Sequence, residues 1–269
     1  MGIVNVTPDS FSQDGFYRRG IKGGSQSQEG TLRAILQAEK FIREGADIID
    51  IGGESTRPGA KPVSAREELK RVIPVIEGLA KKVKVPISVD TYKVEVAERA
   101  LDAGASIVNN IMGSKPSKAL LRMVKSYEAA VILMHISGTP RTMQRQTNYN
   151  NLIKNIIDSL RKSIENCLDM GIKSDKIIVD PGIGFGKTAE QNLRIIDQLK
   201  RFQVLRRPIL IGTSRKSFIG KLLNQDVSER LMGTIASVCV SIVKGAHIVR
   251  VHDVKAVKEA VTVTDAILM

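Results

Sequence analysis

The sequence has no long apolar run. No stretch approaches the roughly 20 consecutive apolar residues of a membrane-spanning helix, so a helical membrane protein is excluded. It opens directly on the strand-like MGIVNV, and no signal peptide is expected. Cysteine is scarce. Cys167 and Cys239 lie in helical patterns without metal-ligand spacing, which excludes a disulfide framework and points to reduced core thiols in a cytoplasmic protein. His135, His247 and His252 also lack metal-ligand spacing, and His247 reads as structural. No Ser-His-Asp order or Cys-His pair suggests covalent catalysis. There is no low-complexity tract or Pro-rich linker, and the lack of Trp excludes nothing.

What is present suits one large globular unit: 269 residues, 42% hydrophobic and 26% charged. The formal charge of +13 raises nucleic-acid binding as an option. The basic residues are scattered over helical segments (Arg66, Lys70, Arg71; Lys154, Arg161, Lys162) with no interleaved aromatics. The expectation is therefore a solvated surface around an anionic ligand, with no nucleic-acid partner and no membrane.

Short Ile- and Val-rich runs recur at Ile3–Val6, Ile48–Ile51, Ile87–Val89, Ile107–Val108, Val131–Met134, Ile177–Val179, Ile209–Ile211 and Ile248–Val251. They are apolar on both faces, as strands of a buried parallel sheet should be. Helical periods follow at Thr31–Glu44, Ala65–Val83, Lys93–Ala103, Ala119–Tyr127, Asn150–Met170, Thr188–Leu199, Ser217–Leu223, Glu229–Lys244 and Val254–Leu268. Ser64 with Glu67 and Thr188 with Gln191 read as capping boxes. Gly45, Gly104, Gly171 and Gly245 each close a helix just before a strand. The alternation predicts an α/β chain folded as a (β/α)8 TIM barrel, a single domain over 1–269, in preference to a doubly wound open sheet. No Gly-rich dinucleotide loop follows the first strand.

In such a barrel all strand C-termini share one rim, where the active site is built. Every predicted strand ends in polar residues: Asn5 and Thr7; Asp50 and the loop GGESTRPGA; Asp90; Asn109 and Asn110; His135; Asp180; Thr213 to Lys216; Arg250 and His252. A single strand-end Asp often only caps the next helix. Eight polar ends on one rim are hard to explain as capping. In the second loop, glycines let backbone approach a ligand, and Ser55, Thr56 and Arg57 can donate to an anion. "DPGIGFGKT" is not a phosphate loop, because the first glycine of that motif would fall on Pro181.

Together, "NVTPDSFS" (5–12), "DIIDIGGESTRPGA" (47–60), "ISVDTYK" (87–93), "LMH" (133–135), "DPGIGFGKT" (180–188), "TSRKSFIG" (213–220) and "RVHD" (250–253) resemble the dihydropteroate synthases over nearly the whole chain. The resemblance implies condensation of 6-hydroxymethyl-7,8-dihydropterin diphosphate with 4-aminobenzoate to give 7,8-dihydropteroate and pyrophosphate, in folate biosynthesis. It also implies Mg2+, a homodimer and a sulfonamide target. The residues fit that chemistry. Asp90 and Asp180 can accept from the pterin's N–H edge, with Asn109 beside them and Lys216 on the ring carbonyl and N5. Met134 and Phe185 supply apolar cover. Asn5 as the Mg2+ ligand, with Thr56, Arg57, Arg250 and His252, would hold the diphosphate. The 4-aminobenzoate carboxylate would sit at the helix starting near Ser217, walled by Phe11, Pro58, Phe185 and Lys216. Asp90, Asp180, Lys216 and Arg250 are the expected catalytic residues.

The sequence departs from that pattern in four places. "FSQDG" carries an extra residue, Asn110 replaces a usual Asp, Ser137 replaces a common Gln, and the hairpin that often precedes the first strand is missing, so the barrel bottom is expected to be partly open. The long first loop, with Arg18, Arg19 and Lys22, is expected to act as a lid. The competing reading is a related pterin-binding barrel, either corrinoid methyltransferase-like or an inactive synthase paralogue. The intact SRK, RVH and DSFS segments weigh against it.

Overall fold

The structure, a computed structural model, describes residues 1–7, 26–55, 60–113, 115–139 and 141–269, with all their side chains except those of 26, 27 and 144. Among the described residues there are eight strands: β1 (Gly2–Asn5), β2 (Ile49–Gly52), β3 (Ile87–Asp90), β4 (Ile107–Asn110), β5 (Ala130–Met134), β6 (Ile177–Asp180), β7 (Leu210–Ile211) and β8 (Ile248–Val249). Between and after them, again among the described residues, lie nine α-helices: α1 (Gln26–Arg43), α2 (Ala65–Ala80), α3 (Val94–Asp102), α4 (Lys118–Ser126), α5 (Leu152–Asp169), α6 (Ala189–Asp197), α7 (Ser217–Leu223), α8 (Leu231–Val243) and α9 (Val254–Leu268).

β1 to β6 pair in parallel in chain order, as do β7 and β8. Two bridges close the ring, Val179 to Ile209 and Gly2 to Val251. The Ile3 N–H donates to Val251 O at 3.0 Å and the Val251 N–H to Met1 O at 3.0 Å. This is a closed (β/α)8 barrel, as expected. None of the described helices is long and apolar enough to cross a membrane.

Period-two alternation divides the strand residues between two environments. Ile49, Ile51, Val89, Val108, Val131, Leu133, Ile177, Val179, Ile209 and Ile211 join the large core shared with the helices. Met1, Ile107, Ile132, Ile178 and Leu210 form a separate cluster that fills the lower end of the barrel interior, so the expected opening there is absent. Above that layer the interior turns polar, with Asp50 and Ser88 fully buried. The strands are therefore not apolar on both faces. Their outer faces carry the core, and their inner faces become hydrophilic toward the rim.

The remaining differences are local. β3, β4 and β6 run on through Asp90, Asn110 and Asp180, so these polar residues are held by ladder pairing rather than by loops. α1 starts at Gln26, ahead of any apolar period. α6 ends at Asp197, two residues before the expected Leu199, and a 3-10 segment, Leu199–Leu205, follows. The capping box at Thr188 forms in full. At Ser64 only half does: its hydroxyl accepts the Glu67 N–H at 3.2 Å, and the Glu67 carboxylate accepts from Arg71 Nε at 3.0 Å instead. The four helix-closing glycines all have positive φ. Cys167 is buried and Cys239 only partly so; both are free thiols.

Candidate active site

The rim is organised by register. Asn5 lies opposite Gly52, Gly52 opposite Asp90, and Asp90 opposite Asn109. On the next strands Met134 lies opposite Asp180. Asn5, Asp90 and Asn109 thus share one level of the barrel interior, in register with Ile132, and Met134 and Asp180 stand two residues further along β5 and β6. Gly52 leaves the gap between Asn5 and Asp90: a Cβ there would stand 3.7 Å from Asn5 Oδ1 and 3.8 Å from Asp90 Oδ2.

Arg250 joins this level to the one below. Its Nε donates to Asp50 Oδ2 at 2.6 Å and its Nη2 to Asp90 Oδ2 at 2.7 Å. Asn109 Nδ2 donates to the same Asp50 oxygen at 3.2 Å. Among the described residues, Asp90 Oδ1 and Asp50 Oδ1 are buried and have no hydrogen-bond partner. Burial pushes the Asp90 carboxyl up to about 7, against the pull of Arg250 and with Asp50 adding to the rise. Burial opposes the Arg250 charge, but Asp50 and Asp90 more than offset it, and its pKa is raised.

Across the barrel, Asp180 Oδ1 accepts the Gly182 N–H at 2.7 Å. Burial raises its pKa, and that hydrogen bond restrains the rise. The loop after β6 then turns through glycines. Gly182 has φ +75, and a Cβ there would lie 1.9 Å from His135 O, so only glycine fits. The loop is built on Lys187, an ammonium inside the protein that donates to Gly182 O at 2.9 Å, Phe185 O at 2.8 Å and His135 Nδ1 at 3.1 Å. Burial lowers Lys187 to about 7. His135 falls well below its usual value through burial and then the Lys187 charge, so the ring is neutral. Its Nδ1 accepts from Lys187, which leaves the hydrogen on Nε2.

Lys216 reaches over this loop from the start of α7. Its ammonium donates to Ile183 O and stands 4.3 Å from the centre of the Phe185 ring. Burial lowers it to about 8, with Asp180 and Asp90 pulling the other way. Ser214 Oγ and His252 Nδ1 are 3.0 Å apart. Met134 packs in a small apolar cluster with Ile111, Ile136 and Met143, against which Phe185 rests.

The sequence-predicted residues Asn5, Asp90, Asn109, Met134, Asp180, Phe185, Lys216, Ser217, Arg250 and His252 thus lie at the rim of one barrel. Phe11, Thr56, Arg57 and Pro58 lie outside the described residues, as does the proposed lid. His247 is structural, as expected: its Nδ1 accepts the Ile209 N–H at 3.2 Å. Two residues carry more than the sequence reading gave them. Asp50 was visible as the lone charge in an apolar strand. Lys187 stood out only as the lysine of DPGIGFGKT, a stretch that resembles a phosphate loop without being one.

A rim of paired carboxylates, two embedded cations and an apolar wall can take a flat, hydrogen-bonding ring and an anionic group beside it. The family of pterin binding enzymes matches residues 1–252. The dihydropteroate synthase of Synechocystis is 46% identical over 268 residues, covering 99% of this chain and 89% of the relative. The dihydropteroate synthase of Clostridium difficile, solved in the presence of pteroic acid, superposes with a TM-score of 0.89 at 44% identity, covering 99% of this chain and 95% of that one. That of Yersinia pestis, solved with a sulfonamide drug, gives 0.90 at 39% identity, covering 100% and 93%.

Proposed function

This chain belongs to the pterin-binding enzymes as a dihydropteroate synthase, and from that premise we propose how its own residues carry the reaction. The enzyme joins 6-hydroxymethyl-7,8-dihydropterin diphosphate to 4-aminobenzoate, releasing pyrophosphate. The bond from the pterin methylene to the diphosphate oxygen breaks and the oxygen keeps the electron pair. The aryl amine's lone pair forms the new C–N bond, and its proton passes to solvent. The amine is neutral at pH 7, so no strong base is required.

Positive charge builds on the methylene and the ring as the C–O bond lengthens. Asp90 and Asp180, reaching in from separated strands, stabilise that charge more in the transition state than in the ground state. The observation that carries this reading is the buried Asp90 Oδ1, which has no hydrogen-bond partner among the described residues and can accept from the pterin edge. Asn109 completes the edge contacts. Lys216 exchanges Ile183 O for the ring carbonyl, and Met134 and Phe185 cover the ring faces. Arg250 and His252, with Thr56 and Arg57, take the diphosphate. The 4-aminobenzoate carboxylate lies near Ser217, with Phe11 and Pro58 completing its walls. Sulfonamides enter the same site.

Mg2+ fits this rim. The Asn5 side chain offers a hard amide oxygen beside the Gly52 gap. Among the described residues no group of three His, Cys, Asp or Glu forms a full protein cage. Mg2+ commonly takes few protein ligands and completes its shell with phosphate oxygens and water. When bound it would offset the negative charge of the leaving diphosphate.

A homodimer belongs to the same proposal. It is supported by α8, which carries no charged residue and turns Thr234 and Ser241 inward while Met232, Val240 and Val243 are exposed. The free thiols, with buried Cys167 pushed up to about 12, support a cytoplasmic setting. The direct test is to mix the protein with pterin diphosphate, 4-aminobenzoate and Mg2+. Release of pyrophosphate that depends on both substrates is the expected result, and its absence overturns the reading.

A further inference from the structure

The turn between β7 and α7 contains an unexpected residue. The Lys216 N–H donates to Thr213 O at 3.1 Å, closing a four-residue turn over Thr213–Lys216. Its third position, Arg215, has φ +56. Glycine takes that position without strain, and an arginine there is disfavoured. A disfavoured backbone at such a place persists only when its surroundings hold it.

The holding contacts come from three directions. Arg215 Nε donates to Asp253 Oδ2 at 3.0 Å and Nη2 to Asp253 Oδ1 at 2.5 Å, a two-point fork on one carboxylate. The Arg215 N–H donates to Thr234 Oγ1 at 3.0 Å. The Arg215 carbonyl accepts from Arg230 Nη1 at 3.1 Å. Asp253 also departs from its local preference. It is the N-cap residue of α9, where an aspartate ordinarily accepts from the first helical N–H groups, yet its side chain makes no such bond. Both residues thus give up local stability, and the feature they share is the pair between them.

That pair spans the two segments that carry the site's cations. Arg215 stands between Ser214 and Lys216, and Asp253 directly follows His252, two residues on from the end of the Arg250–Val251 step. Resting on the function proposed above, we infer that Arg215 and Asp253 are positioning residues: their ion pair fixes the distance between Lys216 and the Arg250–His252 segment, and so aligns the amine of 4-aminobenzoate with the pterin methylene as the diphosphate leaves. Neither residue touches the reacting atoms. The part-buried pair is the strut, and Ser214 Oγ beside His252 Nδ1 is a second tie across the same gap.

The test uses Arg215→Gly, Asp253→Asn and the double variant in the full chain. Arg215→Gly removes the fork while relieving the backbone, so it folds. A misalignment on the ångström scale costs on the order of a hundredfold in rate. The expected result is a fall in kcat of ten- to a hundredfold in each single variant, with KM for pterin diphosphate within threefold of wild type. The double variant should lie within about twofold of Arg215→Gly, because a pair acting as one unit is lost only once. A purely structural role would lower the melting temperature and leave the kcat of the folded enzyme unchanged. That result, or losses that multiply in the double variant, would overturn the inference. Pyrophosphate release by wild type in the same assay tests the functional reading separately: its absence would overturn both, whereas an active wild type with unaffected variants would overturn this inference alone.

Discussion

At the scale of single residues, the site works by keeping charges where water cannot screen them. Asp90→Asn and Asp180→Asn keep the shape but remove the charge and turn part of each acceptor into a donor. Each is expected to cost about 2–4 kcal/mol of transition-state stabilisation, as is typical of losing one preorganised electrostatic contact. Steady-state kcat/KM checks this, and a variant within threefold of wild type would remove that aspartate from the mechanism. The pH dependence follows from two opposite shifts. Asp90 is raised to about 7, so its anion predominates above that pH. Lys216 is lowered to about 8, so its ammonium predominates below that pH. The kcat/KM profile is expected to rise through about 7 and fall through about 8, and in Asp90→Asn the acid limb should move, leaving that of Asp180, whose pKa burial also raises. A profile flat from pH 6 to 9 would contradict the assignment. Lys216→Arg should not rescue Lys216→Ala. A planar fork is no substitute for a compact ammonium, and a Cβ on neighbouring Gly184 would already lie 2.9 Å from Lys216 Cδ.

At the scale of elements, the loop after β6 is the most demanding piece of backbone. Gly182→Ala places a methyl against His135 O and forces a positive φ on a residue with a side chain. It is expected to destabilise by about 1–3 kcal/mol and to lower kcat/KM more than tenfold, because Asp180, Phe185 and the Lys216 contact all ride on that turn. Denaturant unfolding with kinetics on the folded fraction separates the two effects. What was legible in the sequence also divides at this scale. The strands were readable because Ile and Val run in short blocks, and the site was readable because each block ends in a polar residue. The role of Asp50 was not, since a charge inside an apolar strand shows its partner only after closure brings Arg250 alongside, 200 residues away in the chain. Lys187 was hidden for a similar reason. Two of its acceptors are backbone carbonyls, which leave no mark on the pattern of side chains, and another, His135 Nδ1, is 52 residues away in the chain. The half-formed cap at Ser64 failed because Glu67 had a competing cation one turn on, Arg71.

At the scale of the whole molecule, the distribution of apolar surface is uneven. α8 and α9 pack side by side, and their outer faces expose Met232, Val243, Val263 and Ile267, the last at 77%. Large apolar side chains exposed together on two adjacent helices mark an interaction surface. A second copy of the chain is the simplest cover, because one patch meeting itself about a two-fold axis closes the assembly and leaves no further surface to recruit. A stable interface of this kind needs roughly 800 Å² from each partner, which two exposed helices can supply. Wild type is therefore expected to sediment as a dimer at micromolar concentration. Val243→Glu combined with Ile267→Glu places charges of like sign on both copies and should shift the sedimenting species to monomer. The helical circular dichroism should not change, because neither side chain contributes to the barrel core. A wild type that sediments as a monomer at that concentration would rule out this face as a self-association surface.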